Sequence, residues 1–396
     1  MNRGEKMSEE NVKSMIGKVF NDIAEGVETG QFGKRTRVGI TTMGSELGVE
    51  NAVKGAELAQ KRDNSIEVVL IGPKVDSDLT QVVVEDEDEG YKAMEDMLDS
   101  GELDSCVTMH YNFPIGVSTV GRVITPGKGK EMFIATTTGT SATNRVEAMI
   151  RNAIHGIVAA KSMGLENPTL GILNVDGARQ VEKALKELKD NGYEIDFVES
   201  SRADGGYVMR GNDLLLGTPD VMITDTLTGN LLMKIFSSFT TGGSFESQGF
   251  GYGPGIGEKQ DRTVLIISRA SGSPVIANAI AYGAKVSRGN IKDITKDEFK
   301  KVQKAGLEDI IDELTKETDS EPKEEVEIPP KETVTASIGG IDIMELDDAT
   351  AVLWKEGIYA ETGMGCAGPV AMVHEDKLSN ALKVLSDAGY AVEEDE

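Results

Sequence analysis

Residues 37–72 read RVGITTMGSELGVENAVKGAELAQKRDNSIEVVLIG, and their pattern decides the fold. The β-branched run 37–41 predicts a strand, Val49–Arg62 a helix, and Ile66–Gly72 a second strand. The same alternation continues outward. Strands are expected at 103–109, 116–124, 131–136, 169–175, 194–199, 221–224 and 263–268, and helices at 90–100, 143–163, 177–191, 229–239, 274–285 and 296–316. Apolar runs separated by helices of this length describe an α/β fold, with a mostly parallel sheet covered on both faces. The five acids Glu85 to Glu89 suit either a helix N-terminus, where the macrodipole favours negative charge, or a solvated loop.

Composition divides the chain into four segments. Residues 1–36 read as an N-terminal helical segment and 37–314 as the α/β core. Residues 315–332 hold seven acids, three lysines and Pro322, Pro329 and Pro330, which is the composition of a solvated, mobile linker. Residues 333–396 resume apolar positions, with extended runs at 358–360 and 370–374 and a helix at 376–388. They are expected to form a small C-terminal α+β module that carries Cys366.

With 41 Lys plus Arg against 67 Asp plus Glu in 396 residues, the net charge is −26. Phosphate backbones and anionic lipid surfaces both repel such a chain, so neither nucleic acid nor membrane is an expected partner. No run approaches the ~18 apolar residues of a spanning helix. The polar start, 1–13, lacks a signal-like apolar stretch, so a cytoplasmic location is expected. Two cysteines, Cys106 and Cys366, exclude a disulfide framework and fit a reducing compartment. No zinc-like spacing exists, and no metal or cofactor is expected.

In an open parallel sheet, ligands bind beyond the carboxyl ends of strands. Three such junctions are rich in small and hydroxyl residues. Thr136-Thr137-Thr138-Gly139-Thr140-Ser141 precedes a long predicted helix, either as an anion site or as a plain N-cap. Asp225-Thr226-Leu227-Thr228-Gly229-Asn230 follows the strand 221–224, with Lys234 one turn further on. Ser268-Arg269-Ala270-Ser271 ends the strand 263–268; its arginine suits bidentate phosphate or carboxylate binding, or a structural ion pair. Cys366, framed as Gly363-Met364-Gly365-Cys366-Ala367-Gly368-Pro369, is either a nucleophile or a small buried hydrophobe. Cys106 and its neighbour His110 invite a relay, but Cys106 reads more simply as a core residue. His155, inside the long helix, reads as core or surface.

Read as an ordered set, these residues resemble known families. Leu170 to Val175, Arg210-Gly211-Asn212-Asp213-Leu214-Leu215, Pro219 to Asp225, Gly229-Asn230 and Lys234 are similar to the acyl-phosphate-forming acyltransferases of fatty-acid and phospholipid synthesis. Ser268-Arg269-Ala270 is similar to the phosphate-binding signature of phosphate acetyltransferases. Two departures stand out: Thr226 where the first family has Gly, and Ser271 where the second has Asp. The resemblance implies an isocitrate/isopropylmalate-dehydrogenase-like three-layer core. It also implies exchange of an acyl group between a thioester and inorganic phosphate. With the linker and the Gly-framed cysteine added, the chain resembles the component C alpha-subunit family of glycine/sarcosine/betaine reductase complexes. That resemblance implies Cys366 as the acyl-carrying thiol, with Ser268, Arg269, Thr138, Gly139, Thr140, Ser141, Asp225, Asn230 and Lys234 around phosphate. It further implies that the group comes from carboxymethylated selenoprotein A, is held as an acetyl thioester on Cys366 and is released as acetyl phosphate, with the component C beta subunit as partner and a possible homo-oligomer. A stand-alone phosphate acyltransferase using a soluble thioester and a non-catalytic scaffold subunit are the competing expectations. A nicotinamide dehydrogenase is remote, because the acidic metal-ligand clusters it needs are missing from the sequence.

Overall fold

The computed structural model describes residues 35–396 other than 203–204, 318–325, 327, 342–344, 366–367 and 396, together with seven positions between 17 and 27. The N-terminal helical segment expected at 1–36 therefore lies outside the described residues, except for those seven positions, which are helical, and the last two.

The larger sheet is built from β1 (Thr36–Thr41), β2 (Ile66–Gly72), β3 (Thr80–Val83), β4 (Ser105–Thr108), β5 (Val117–Ile124), β6 (Glu131–Thr140), β7 (Thr169–Leu173), β8 (Asp196–Phe197), β9 (Val208–Met209), β10 (Val221–Ile223), β11 (Gly253–Ile256) and β12 (Val264–Ile266). Their order is β3-β2-β1-β4-β12-β11-β5-β6-β10-β7-β8, with β9 beside β7. Strands of the two outer blocks pair in parallel, as the alternation with helices requires. The centre departs from that rule: β11 runs antiparallel to both β12 and β5, and β5 antiparallel to β6. β11 was not foreseen, because Gly253-Pro254-Gly255-Ile256 has poor strand propensity. Packing imposes it. A Cβ at Gly253 would run into the Val120 carbonyl of β5, so only glycine allows the two backbones to approach.

Alternate residues of the strands point to opposite faces, and two cores result. In β2, Ile66, Val68 and Leu70 join one cluster, while Val69 and Ile71 join the other. The first cluster takes in α1 (Val49–Arg62), α3 (Arg145–Ser162), α4 (Ala178–Asp190) and α7 (Ser273–Arg288). The second takes in α2 (Glu87–Asp99), α5 (Gly211–Leu216) and α6 (Thr226–Ser238). This is a three-layer α/β architecture. The acidic run opens α2: the Asp86 carboxylate accepts from Glu89 N–H as N-cap, and Glu87, Asp88 and Glu89 fill the first turn. The single helix expected at 296–316 is two, α8 (Ile291–Lys304) and α9 (Leu307–Glu317), broken at Gly306 with φ +87°.

Beyond α9 a separate four-stranded sheet, ordered β14-β15-β13-β16, is formed by β13 (Ala336–Gly339), β14 (Ala360–Gly365), β15 (Gly368–Val373) and β16 (Glu393–Asp395). Two helices, α10 (Leu346–Lys355) and α11 (Leu378–Asp387), complete it around its own core of Ile338, Leu353, Ile358, Ala371, Val373 and Leu385. β14 and β15 pair antiparallel out to Gly365 and Gly368; Cys366 lies outside the described residues. Among those residues no helix is long and apolar enough to cross a membrane.

Candidate functional site

Six of the residues singled out in the sequence, Ser268, Arg269, Thr138, Gly139, Asn230 and Lys234, line one cleft of about 520 Å³. Glu46, His110, Tyr111, Phe113 and Tyr252 contribute to the rest of its wall. Ser268 and Arg269 follow β12, and Thr138 and Gly139 lie near the end of β6. Asn230 and Lys234 sit four residues apart on α6 and therefore share a face. The Asn230 amide donates to the Thr137 carbonyl at 3.1 Å, fixing α6 against β6. That contact depends on Gly229, where a Cβ would collide with the Thr136 carbonyl oxygen.

Charge marks the cleft as an anion site. Arg37, Arg122, Arg145, Arg151, Arg262 and Arg288 are each paired with carboxylates, as an acidic chain would suggest. Arg269 and Lys234 make no such pair among the described residues. The Lys234 ammonium lies 5.9 Å from the Tyr252 ring centroid. Two unpaired cations beside the Thr138 hydroxyl and the Asn230 amide suit a small, multiply charged oxyanion.

Glu246 was not found by sequence reasoning, yet it organises the arginine loop. Its side chain is 3 % exposed. Oε1 accepts from the Tyr252 hydroxyl at 3.0 Å and Oε2 from the Ser271 hydroxyl at 3.1 Å. Ser271 Oγ in turn accepts the Ser268 N–H at 3.1 Å. The Glu246 backbone joins the same loop, donating to the Ala270 carbonyl and accepting from Gly272 N–H. Burial raises the Glu246 carboxyl above its ordinary range, opposed by the donors Tyr252 and Ser271 and by the charge of Lys234. Burial, with the nearby Glu246 charge, also pushes the Tyr252 phenol well up. The available signal was a lone acid: Lys234 and Glu246 are the only charged residues between Thr226 and Gly257.

Three expected site residues do not line this cleft. Ser141 is buried, its hydroxyl donating to Asn152 Oδ1 at 2.6 Å and to the Ala148 carbonyl at 3.0 Å. Asp225 is the N-cap of α6, accepting from Thr228 N–H, and pairs with Arg145 at 3.1 Å. Thr140 ends β6 opposite Val117. The reading of 138–141 as a helix entry is corrected with them. β6 continues through Thr140, Thr138 N–H donates to Thr119 Oγ1, and α3 starts only after its own N-cap, Asn144. A run of β-branched threonines favours strand over helix, and that propensity wins here.

Asp213, from the Arg210-Gly211-Asn212-Asp213 stretch, is a staple. It accepts from Ser200 Oγ, Ser201 N and Oγ, Arg210 N and Thr218 Oγ1. Burial alone would raise its carboxyl, but these donors lower it to about 2. Cys106 is fully buried in β4 and burial pushes its thiol up, the behaviour of a core cysteine. His155 is buried against Ser118 Oγ at 2.7 Å and held neutral, lowered to about 3 by burial and by Arg151.

The chain matches the family model described as "fatty acid synthesis protein" over residues 36–372. It is 64% identical, over 96% of its length and 98% of the relative's, to the glycine/sarcosine/betaine reductase complex component C subunit alpha of Peptoclostridium acidaminophilum. It is 26% identical to the phosphate acyltransferase of Thermotoga petrophila, over 50% of this chain and 67% of that one. Among solved structures, a branched-chain phosphotransacylase from Enterococcus faecalis V583 aligns with a TM-score of 0.45 and 16% identity, over 64% of this chain and 99% of that one. The chain belongs to the fatty acid synthesis protein family and, within it, to the component C alpha subunits of glycine/sarcosine/betaine reductase complexes.

Proposed function

We propose that this protein exchanges an acetyl group between a thioester on Cys366 and inorganic phosphate, as the acyl-transfer subunit of a glycine/sarcosine/betaine reductase complex. The carrying observation is the cleft itself, where Arg269 and Lys234 stand without carboxylate partners among the described residues, beside Ser268, Thr138, Gly139 and Asn230. Hydrogen phosphate held there attacks the thioester carbonyl carbon. The new C–O bond replaces the C–S bond, and the phosphate proton passes to the departing sulfur, giving acetyl phosphate and the Cys366 thiol. Arg269 and Lys234 orient the nucleophile and balance charge on the developing oxyanion. The linker that follows α9, within 318–332, lets a C-terminal module, 333–396, deliver the thioester to an isocitrate/isopropylmalate-dehydrogenase-like core. Carboxymethylated selenoprotein A is the source of the group that becomes the thioester, the component C beta subunit is the partner chain, and the complex works in the cytoplasm.

Arsenate tests this reading, because acetyl arsenate hydrolyses at once and drains an acetyl-enzyme. Arsenate-dependent hydrolysis of acetyl phosphate is expected from the protein and lost in Cys366→Ala. The phosphate acyltransferase relatives favour a second reading, turnover of a soluble acyl thioester by the core alone. It requires acetyl-CoA turnover that survives removal of residues 333–396.

A further inference from the structure

Exposed apolar side chains neighbour the residues that line the anion cleft. Leu47 follows Glu46, Ile115 lies two residues beyond Phe113, and Leu231 and Ile235 are next to Asn230 and Lys234 on α6. With Leu227, one turn earlier on α6, these five side chains are between 42 % and 81 % exposed. At 100° per residue, Leu227, Leu231 and Ile235 form one stripe, turned about a quarter-circle from the line of Asn230 and Lys234. The opposite side of the helix carries Gly229, Met233 and Phe236 into the core. Exposed leucine and isoleucine next to the residues of an anion pocket are poorly explained by phosphate alone. They fit a pocket whose second substrate arrives on a protein surface.

We infer that this collar is the seat of the Cys366-bearing C-terminal segment of the same chain, docked while its thioester meets phosphate; the inference rests on the acetyl-transfer reading. Reach permits it. Lys331, Glu332 and Thr335 are bonded to the C-terminal segment itself, and the 13 residues between Glu317 and Lys331 span up to ~45 Å when extended, about the ~45–50 Å width of a globular core of this size. Charge favours it. Residues 333–396 carry thirteen acids against three lysines, and they would meet a mouth whose cations without a carboxylate partner among the described residues are Arg269 and Lys234, against one exposed acid, Glu46. On α6 itself there is no acid: its N-cap Asp225 is paired with Arg145, and between Thr226 and Gly257 the one carboxylate is the buried Glu246. Tethering also explains why an exposed apolar patch of this modest size suffices, since the linker supplies a high effective concentration.

Disulfide trapping in the full chain tests the inference. Leu231→Cys and Ile235→Cys, oxidised with diamide, are expected to form an intramolecular disulfide with Cys366, mapped by mass spectrometry, at a rate unchanged by dilution. Cys106 stays in place, because its burial keeps it out of the reaction. Leu165→Cys, on the exposed turn between α3 and β7, is expected to form none. Absence of both bonds, equal trapping at residue 165, or only intermolecular dimers that vanish on dilution would overturn it; the last result would assign the collar to a second copy. The double variant Leu231→Ser/Ile235→Ser should slow acetylation of Cys366 by acetyl phosphate at least tenfold, with phosphate affinity within twofold of wild type. An unchanged acetylation rate in it overturns the docking. Acetylation of Cys366 without trapping refutes the docking and leaves the transfer reading intact. Trapping in a chain whose Cys366 never takes acetyl supports the docking and refutes the transfer.

Discussion

Replacing Glu246 by alanine removes the acceptor that holds the arginine loop. Two buried hydroxyls, those of Tyr252 and Ser271, then lose their partner, and Ser271 loses its hold on the Ser268 N–H. An orphaned buried polar group costs about 1–3 kcal/mol, so the pair sets a gross cost of about 2–6 kcal/mol. Part returns because the variant no longer desolvates a carboxyl group that burial disfavours. The net expectation is about 2–4 kcal/mol. Glu246→Gln keeps one acceptor oxygen and should cost about half as much. Urea unfolding at pH 7 gives both values. Circular dichroism is the better probe, because the only tryptophan, Trp354, lies on α10 against the C-terminal sheet and not in the α/β core. An alanine variant within 0.5 kcal/mol of wild type refutes the view that Glu246 anchors residues 268–272.

Arg269→Gln removes charged hydrogen bonds to phosphate worth about 1.5–3 kcal/mol, so calorimetry should show phosphate affinity falling by roughly ten- to a hundredfold. The Asp213 carboxyl is depressed from 3.8 to about 2 in the folded chain, so its contribution of about 2 kcal/mol is complete above the unfolded value and disappears as pH falls through about 2. The stability gap between wild type and Asp213→Asn should therefore narrow between pH 5 and pH 2, as measured by urea titrations across that range. Cys106 should resist iodoacetamide in the native chain and react only after denaturation, which peptide mapping of the labelled protein checks.

Legibility followed local consistency. β1, α1 and β2 were readable because alternation, length and β-branched content agree in each. The β12 end was readable as an arginine loop, and the α6 entry as Gly229-Asn230 with Lys234 a turn on, because the chemistry sits in contiguous residues. What escaped depends on tertiary packing. β11 is a strand only because Gly253 lets two backbones meet at the sheet centre. Thr140, Ser141 and Asp225 have the right chemistry for a pocket, but spend it on a strand end, a buried Asn152 contact and an N-cap. Glu246 acts through residues 22 to 25 positions away, Ser268 and Ser271, and no local pattern reports such a link.

The central claim is that phosphate in the cleft and Cys366 exchange one acetyl group. Incubating the purified chain with acetyl-labelled acetyl phosphate, then digesting and mapping the label by mass spectrometry, measures that exchange directly. The account predicts label on the peptide containing Cys366, released by added phosphate and absent in Arg269→Gln. Label on any other residue, or a Cys366 peptide that stays unlabelled while acetyl phosphate is consumed, contradicts it.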